Sequence, residues 1–159
     1  MADLTPLDEK LAEVLGLAQA AQDTTAHVAG MEDADEFRQQ LDGMGEEAGE
    51  TERRTDAHID TLEGRKTAIR EMASETKGEV AEMREAYLEG EEEALDGFEF
   101  LTMTEAGELG HWEIIQTMAR TVGDSSVGQL ADWAVDVQRR HLEGVRASSL
   151  KLAEKEARG

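Results

Sequence analysis

Residues 104–124 read TEAGELGHWEIIQTMARTVGD, and they pose the folding problem of the whole chain. On a helical wheel Glu105 and Glu108 share a side with Leu101, Trp112, Ile115 and Ala119. Residues three and four apart occupy one face of a helix, and a face carrying Leu, Trp and Ile belongs in a core. A carboxylate buried there is costly unless a partner meets it. The stretch therefore predicts a long helix packed against others, with something on the facing helices to receive two glutamates.

The rest of the chain supplies those helices. Pro6 is its only proline, aromatic content is 4%, and Ala, Leu, Glu, Arg, Met and Gln dominate. These residues lose little side-chain freedom in a helix, and no alternation of apolar and polar residues suggests a strand. The fold class is all-α. A first helix is predicted over about residues 6–29, with Thr5 as cap, Pro6 at the first position, Asp8 and Glu9 at its positive end and Gly30 as terminator. Its face is Leu7, Leu11, Val14, Ala18, Ala21 and Thr25. A second is predicted from near residue 33 along Phe37, Leu41, Met44, Ala48, Thr55, Ile59, Leu62 and Ile69, tolerating Gly43, Gly45 and Gly49. Between residues 74 and 97, Val80, Met83, Tyr87 and Leu88 keep helical spacing, which predicts a helical link between two halves. A third main helix covers about residues 94–122 and ends in the GDSS turn at 123–126. The fourth, capped by Asp124, Ser125 or Ser126, runs over about 127–157 with Leu130, Ala134, Val137, His141, Val145, Ser148 and Leu152 on its face. The expected architecture is a four-helix bundle with an extra helical connection between its two hairpins, and 159 residues fit a single domain, 1–159.

Charge narrows the partners. There are 37 acidic against 16 basic residues, a net charge of −21. Such a field repels phosphate backbones and anionic lipid, which argues against nucleic-acid and membrane partners. Arg outnumbers Lys 11 to 5, a balance that fits a GC-rich genome or a high-salt cytoplasm equally. With no cysteine, disulfides, thiolate metal sites and cysteine nucleophiles are excluded. The start, MADLTPLDEK, lacks a charged segment followed by an apolar run, and no stretch approaches membrane-spanning length, so the expected location is the cytoplasm. Phosphate-binding glycine loops are missing, and no serine has the setting of a nucleophile elbow.

The polar residues that fall on buried faces carry the functional signal. They are Gln22 on the first helix, Thr55 and His58 on the second, Glu105 and Glu108 on the third, and Gln138 and His141 on the fourth. Gln22 and Thr55 stand 33 residues apart, as do Glu105 and Gln138; His58 follows Thr55 by three, as His141 follows Gln138. One constant shift maps the first half onto the second, as two duplicated helical hairpins would produce. Against these stand the plainer readings: core histidines bonded to a neighbouring helix, and glutamates satisfied by Thr or Gln. His111 and Glu113 fall off the stripe, His27 suits the negative end of the first helix, and EGEEE at 89–93 reads as a solvated face.

In this layout the chain resembles the ferritin-like superfamily. In its di-iron members the first and third helices each give a Glu, and the second and fourth each give a Glu-x-x-His aimed at one metal pair. The matching segments are TDAH at 55–58 and QRRH at 138–141, with Glu105 on the third helix and Gln22 on the first; Glu108-Leu109-Gly110-His111 offers a rival register one turn away. A closer resemblance is to a bacterial, stress-associated ferritin-like family of mostly unknown role, through HIDTLEGRKTAI at 58–69 and GHWEIIQTMARTVGD at 110–124. The departures are that Gln22, Thr55 and Gln138 stand where glutamates would be, so a full di-iron set is not present in this register. If Glu105, His58 and His141 converge, they form a two-histidine, one-carboxylate set suited to a single Fe(II), Mn(II) or Zn(II), with Glu108 an alternative and Gln22 and Gln138 weaker donors. Glu52 or Asp136 would join only in a shifted register. The resemblance implies metal handling or a stress role and leaves a homo-oligomer open. The competing reading is a structural or interaction module that kept the bundle and lost the metal; a single-iron oxidase stands behind both.

Overall fold

Local chemistry sets the helix ends. The computed structural model describes residues 3–159; Met1 and Ala2, the first two residues of the start read above, lie outside the described residues. Helix α1 spans Pro6–Ala29 and opens on a reciprocal cap, in which the Asp8 N–H donates to Thr5 Oγ1 at 3.1 Å and the Thr5 N–H donates to Asp8 Oδ2 at 2.9 Å. Gly30 ends it, its N–H bonded to the His27 carbonyl. After a single 3₁₀ turn at Asp35–Phe37, α2 spans Arg38–Ile59.

Here the structure corrects the reading that one helix continues to Ile69. The chain leaves the helix at Ile59, turns through residues 60–65 with Gly64 at φ 83°, and restarts as α3, Lys66–Leu88. That left-handed backbone suits glycine and cannot continue an α-helix. The link predicted between residues 74 and 97 is thus, as far as Leu88, the second part of a longer helix, and α4 begins before its end. Helix α4 spans Ala94–Val122, closed by Gly123 at φ 75°, and α5 spans Ser125–Arg158, with Asp124 accepting the Val127 N–H at 3.1 Å. Among the described residues there is no strand, only an isolated bridge between Glu32 and Glu93 that ties two loops together. No helix among the described residues is long and apolar enough to cross a membrane.

Cross-helix pairs give the directions. Gln22 meets Glu52 and Thr25 lies against Gly45, so α1 and α2 are antiparallel; Thr102 meets Ser149 and Gln116 meets Asp132, so α4 and α5 are antiparallel. Asp8 meets Arg65 and Thr24 meets Arg84, so α3 returns alongside α1 in the same direction. His111 lies 3.0 Å from Glu13 while Gly97 abuts Val28, and Arg140 reaches Glu47 while Ser148 reaches Gln40, placing α4 antiparallel to α1 and α5 antiparallel to α2. The result is a five-helix bundle in which two hairpins pack face to face and α3 lies outside them against α1.

The core is layered. Phe37, Leu41, Phe98, Leu101 and Val145 fill one end, with the Phe37 and Phe98 rings edge to face at 5.1 Å. Leu11, Val14, Trp112, Ile115 and Ala131 fill the other. A strip of Ala12, Leu15, Ile59, Ile69 and Ala73 lies in a third cluster where α3 is held. Between Leu101 and Trp112 on α4, and between Val137 and Val145 on α5, the buried residues turn polar.

Candidate functional site

The α4 stripe carries Glu105 and Glu108 inward, 2% and 4% exposed, as its spacing predicts. The α5 stripe brings Gln138 and His141 to the same level, and α2 contributes Glu47 from its edge. Gln138 Nε2 donates to Glu105 Oε2 at 2.7 Å. His141 lies between two carboxylates: Nε2 is 3.1 Å from Glu47 Oε1, and Nδ1 is 3.8 Å from Glu105 Oε1. The first separation is a hydrogen bond and the second is an electrostatic contact only. Arg140 grips Glu47 from outside, with Nη1 and Nη2 at 3.3 and 2.9 Å from its two oxygens.

Each carboxylate sits in a different field. The Arg140 hydrogen bonds hold the Glu47 carboxyl below the usual range against partial burial, and His141 adds to them. Glu47 is therefore an ionised acceptor for the His141 Nε2–H, which leaves the ring's Nδ1 turned toward Glu105. Burial pushes Glu105 up, opposed by His141 and by the Gln138 amide. Burial pushes Glu108 well up, the neighbouring Glu105 charge adds to it, and no donor pairs with the Glu108 carboxyl among the described residues.

The remaining predicted residues lie elsewhere. Gln22 is half-buried and donates to Glu52 Oε1 at 2.9 Å and to the Ala18 carbonyl at 3.2 Å. Thr55 is fully buried and spends its hydroxyl on the Thr51 carbonyl of its own helix, at 2.7 Å. His58, near the end of α2, lines a cavity at one pole of the bundle with Leu62 and Arg65. Eleven residues of helix, roughly 16 Å of rise, separate it from Glu47, so His58 and His141 do not share a centre. His111 bonds to the Gly107 carbonyl at 2.8 Å and faces Glu13 of α1, so it turns away from Glu108. Asp136 is exposed. The two-histidine set is therefore not assembled; what is assembled is one histidine with Glu105, Glu108, Gln138 and Glu47.

Glu47 is the member that sequence reasoning missed. It follows Met44 by three and precedes Ala48, so it sits at the edge of the α2 stripe, inside the acidic run GEEAGE where one glutamate looks like the next. Among the described residues no three His, Asp or Glu side chains stand close enough together to hold an ion as placed. The fold and the cluster define the class: an all-helical bundle with a buried carboxylate, amide and histidine layer. Compared with protein-family models, with curated proteins and with solved structures, the chain matches none.

Proposed function

We propose that the chain is a ferritin-like bundle whose buried layer takes a single divalent cation, Fe(II), Mn(II) or Zn(II), in metal handling or stress defence. The connectivity supports it: two antiparallel hairpins face each other, and the crossover α3 lets α2 and α4 run the same way. The observation that carries the reading is the setting of His141 between Glu47 and Glu105. A histidine that donates one ring N–H to a carboxylate and turns the other nitrogen toward a second carboxylate is the arrangement of a metal ligand with its orienting partner. Glu47 is then the orienting group, His141 Nδ1 and Glu105 are the ligands, and Glu108 is the carboxylate without another partner. This donor set, one imidazole nitrogen with carboxylate oxygens, suits these borderline-to-hard cations. Bound there, the ion would supply positive charge to a layer of carboxyls whose burial favours the protonated form.

Protein purified without a chelating tag should carry close to one metal per chain by elemental analysis. His141→Ala should abolish the binding, and His58→Ala should leave it unchanged. Sub-stoichiometric metal that His141→Ala does not alter would sink the proposal. A second reading, a structural or interaction module without metal, is favoured by the way core polar groups find protein partners, Gln138 on Glu105 and Ser148 on Gln40. It predicts a melting temperature indifferent to metal, whereas a cation at 100 times its Kd adds about 2.7 kcal/mol.

A further inference from the structure

Five of the six large apolar side chains exposed among the described residues lie on α4 or beside it. Met103, Ile114 and Val122 belong to α4; Met83 and Tyr87 belong to the end of α3, where the Tyr87 ring lies 5.5 Å from that of Phe100 on α4. Helical spacing puts Met103, Ala106, Gly107, Gly110, Ile114 and Thr117 on one outer face of α4, without a charge among them, although 33% of the chain is charged. Gly107 and Gly110 lie inside the helix, where glycine is less favourable than alanine, and a Cβ at either would meet nothing within 4 Å. Packing within the chain therefore does not call for them. Gly43, Gly78 and Gly128 are as open, but none has a large apolar side chain or a second glycine one turn away.

The pattern on this face is the same in both directions. Met103 precedes Gly107 by four residues, and Ile114 follows Gly110 by four. A second α4 laid antiparallel on the first, about a two-fold axis between Gly107 and Gly110, brings glycines together where the helices cross. On either side of the crossing, Met103 of each copy then faces Ile114 of the other, a self-complementary contact that closes as a dimer. Charge selects the same orientation. Arg120 is the only Lys or Arg of α4; it borders this face, and its ion pair within the chain is an exposed contact with Asp132 at 3.8 Å. Antiparallel pairing brings Arg120 of each copy level with Asp96 and Glu99 of the other, whereas parallel pairing sets like charges together. A net charge of −21 repels a second copy from the charged faces, so the uncharged one is where two copies can meet.

We infer that α4 joins two copies of this chain in an antiparallel, two-fold dimer. Sedimentation equilibrium of the full chain, with chelator present so that metal plays no part, should give twice the 17.4 kDa of one copy. Ile114→Glu, at an exposed position, should weaken the dimer about a hundredfold with helicity unchanged, because symmetry buries two carboxylates. Met103→Glu serves the same purpose if that variant fails to fold. Gly110→Ala should weaken the dimer about tenfold, yet melt no lower than the parent at dilutions where both are monomeric, a pairing of effects that packing within one chain does not produce. Arg120→Glu should weaken it severalfold, and Glu99→Arg in the same chain should restore it. A nitroxide on Thr121→Cys should lie roughly 30 Å farther from its twin than one on Ala106→Cys, which reports the antiparallel register. A monomer up to about 1 mM, a dimer indifferent to both glutamate substitutions, no rescue by the charge swap, or equal nitroxide distances would overturn the assignment.

Discussion

The two hairpins carry matching polar residues at matching spacing and use them in opposite ways. In α4–α5, Glu105 and Gln138 meet across the interface at 2.7 Å, both almost wholly buried. In α1–α2, Gln22 and Thr55 do not meet: Gln22 turns to half-buried Glu52, and Thr55 bonds back into its own helix. A threonine is too short to cross an interhelical gap and has a carbonyl of the preceding turn within reach. Side-chain length therefore decides which half of a repeated register becomes a polar layer. The shared spacing is common ancestry or coincidence; the buried site is chemistry, and it belongs to the second hairpin with Glu47 lent by the first.

The same substitution in both hairpins breaks or sharpens that contrast. Gln138→Ala leaves Glu105 without its amide donor and opens a cavity, and should cost about 2–4 kcal/mol in denaturant unfolding. The intermediate effect is at Glu108. Its folded-state pKa is raised above the ordinary value, so the folded chain holds a proton that the unfolded chain releases, and stability should fall as pH rises above about 4.3. Glu108→Gln removes that loss. In metal-free protein it should stabilise the fold by on the order of 1 kcal/mol at pH 8 and by little near pH 4, as melting curves across pH would show. Glu36 bends the curve the other way: hydrogen bonds from Lys151 and Lys155 hold its carboxyl down to about 2, so its contribution is present at neutral pH and lost in acid. The smallest effect belongs to Gln22→Ala, below about 1 kcal/mol because both partners reach water. Equal losses at Gln22 and Gln138 would erase the distinction between the hairpins.

Helix ends were legible where residues with one conformational meaning stood at them. Thr5, Pro6 and Gly30 bound α1, and Gly123 closes α4, as their backbone preferences require. The break after Ile59 was not legible, because Leu62 and Ile69 continue the apolar stripe across the turn and only Gly64 marks the interruption. Glu105, Glu108, Gln138 and His141 could be found because a polar residue amid Leu, Trp and Val is anomalous on a wheel. Glu47 could not, since at a stripe's edge an acidic residue is ordinary, and its role depends on a histidine 94 positions away. His58 illustrates the converse: its spacing matched His141, but the chain turn just after it leaves it at the pole of the bundle.

The approach of α3 to α1 at Gly16 has a dynamic consequence. A methyl at position 16 would collide with the Ala73 carbonyl and come within 2.8 Å of Thr76 Cβ, so the two backbones are nearly in contact there. Yet α3 buries only Ile69, Ala73, Val80 and Leu88, and it packs chiefly on α1, with Tyr87 against Phe100 of α4 near its end. A helix with one main neighbour and few buried anchors forms a low-energy cooperative unit, apt to open while the rest stays closed. Such an excursion would wet the strip around Ala12 and Leu15 but leave Glu105, Gln138 and His141 enclosed. The crossover helix can breathe on its own, and the acidic heart of the bundle need not feel it.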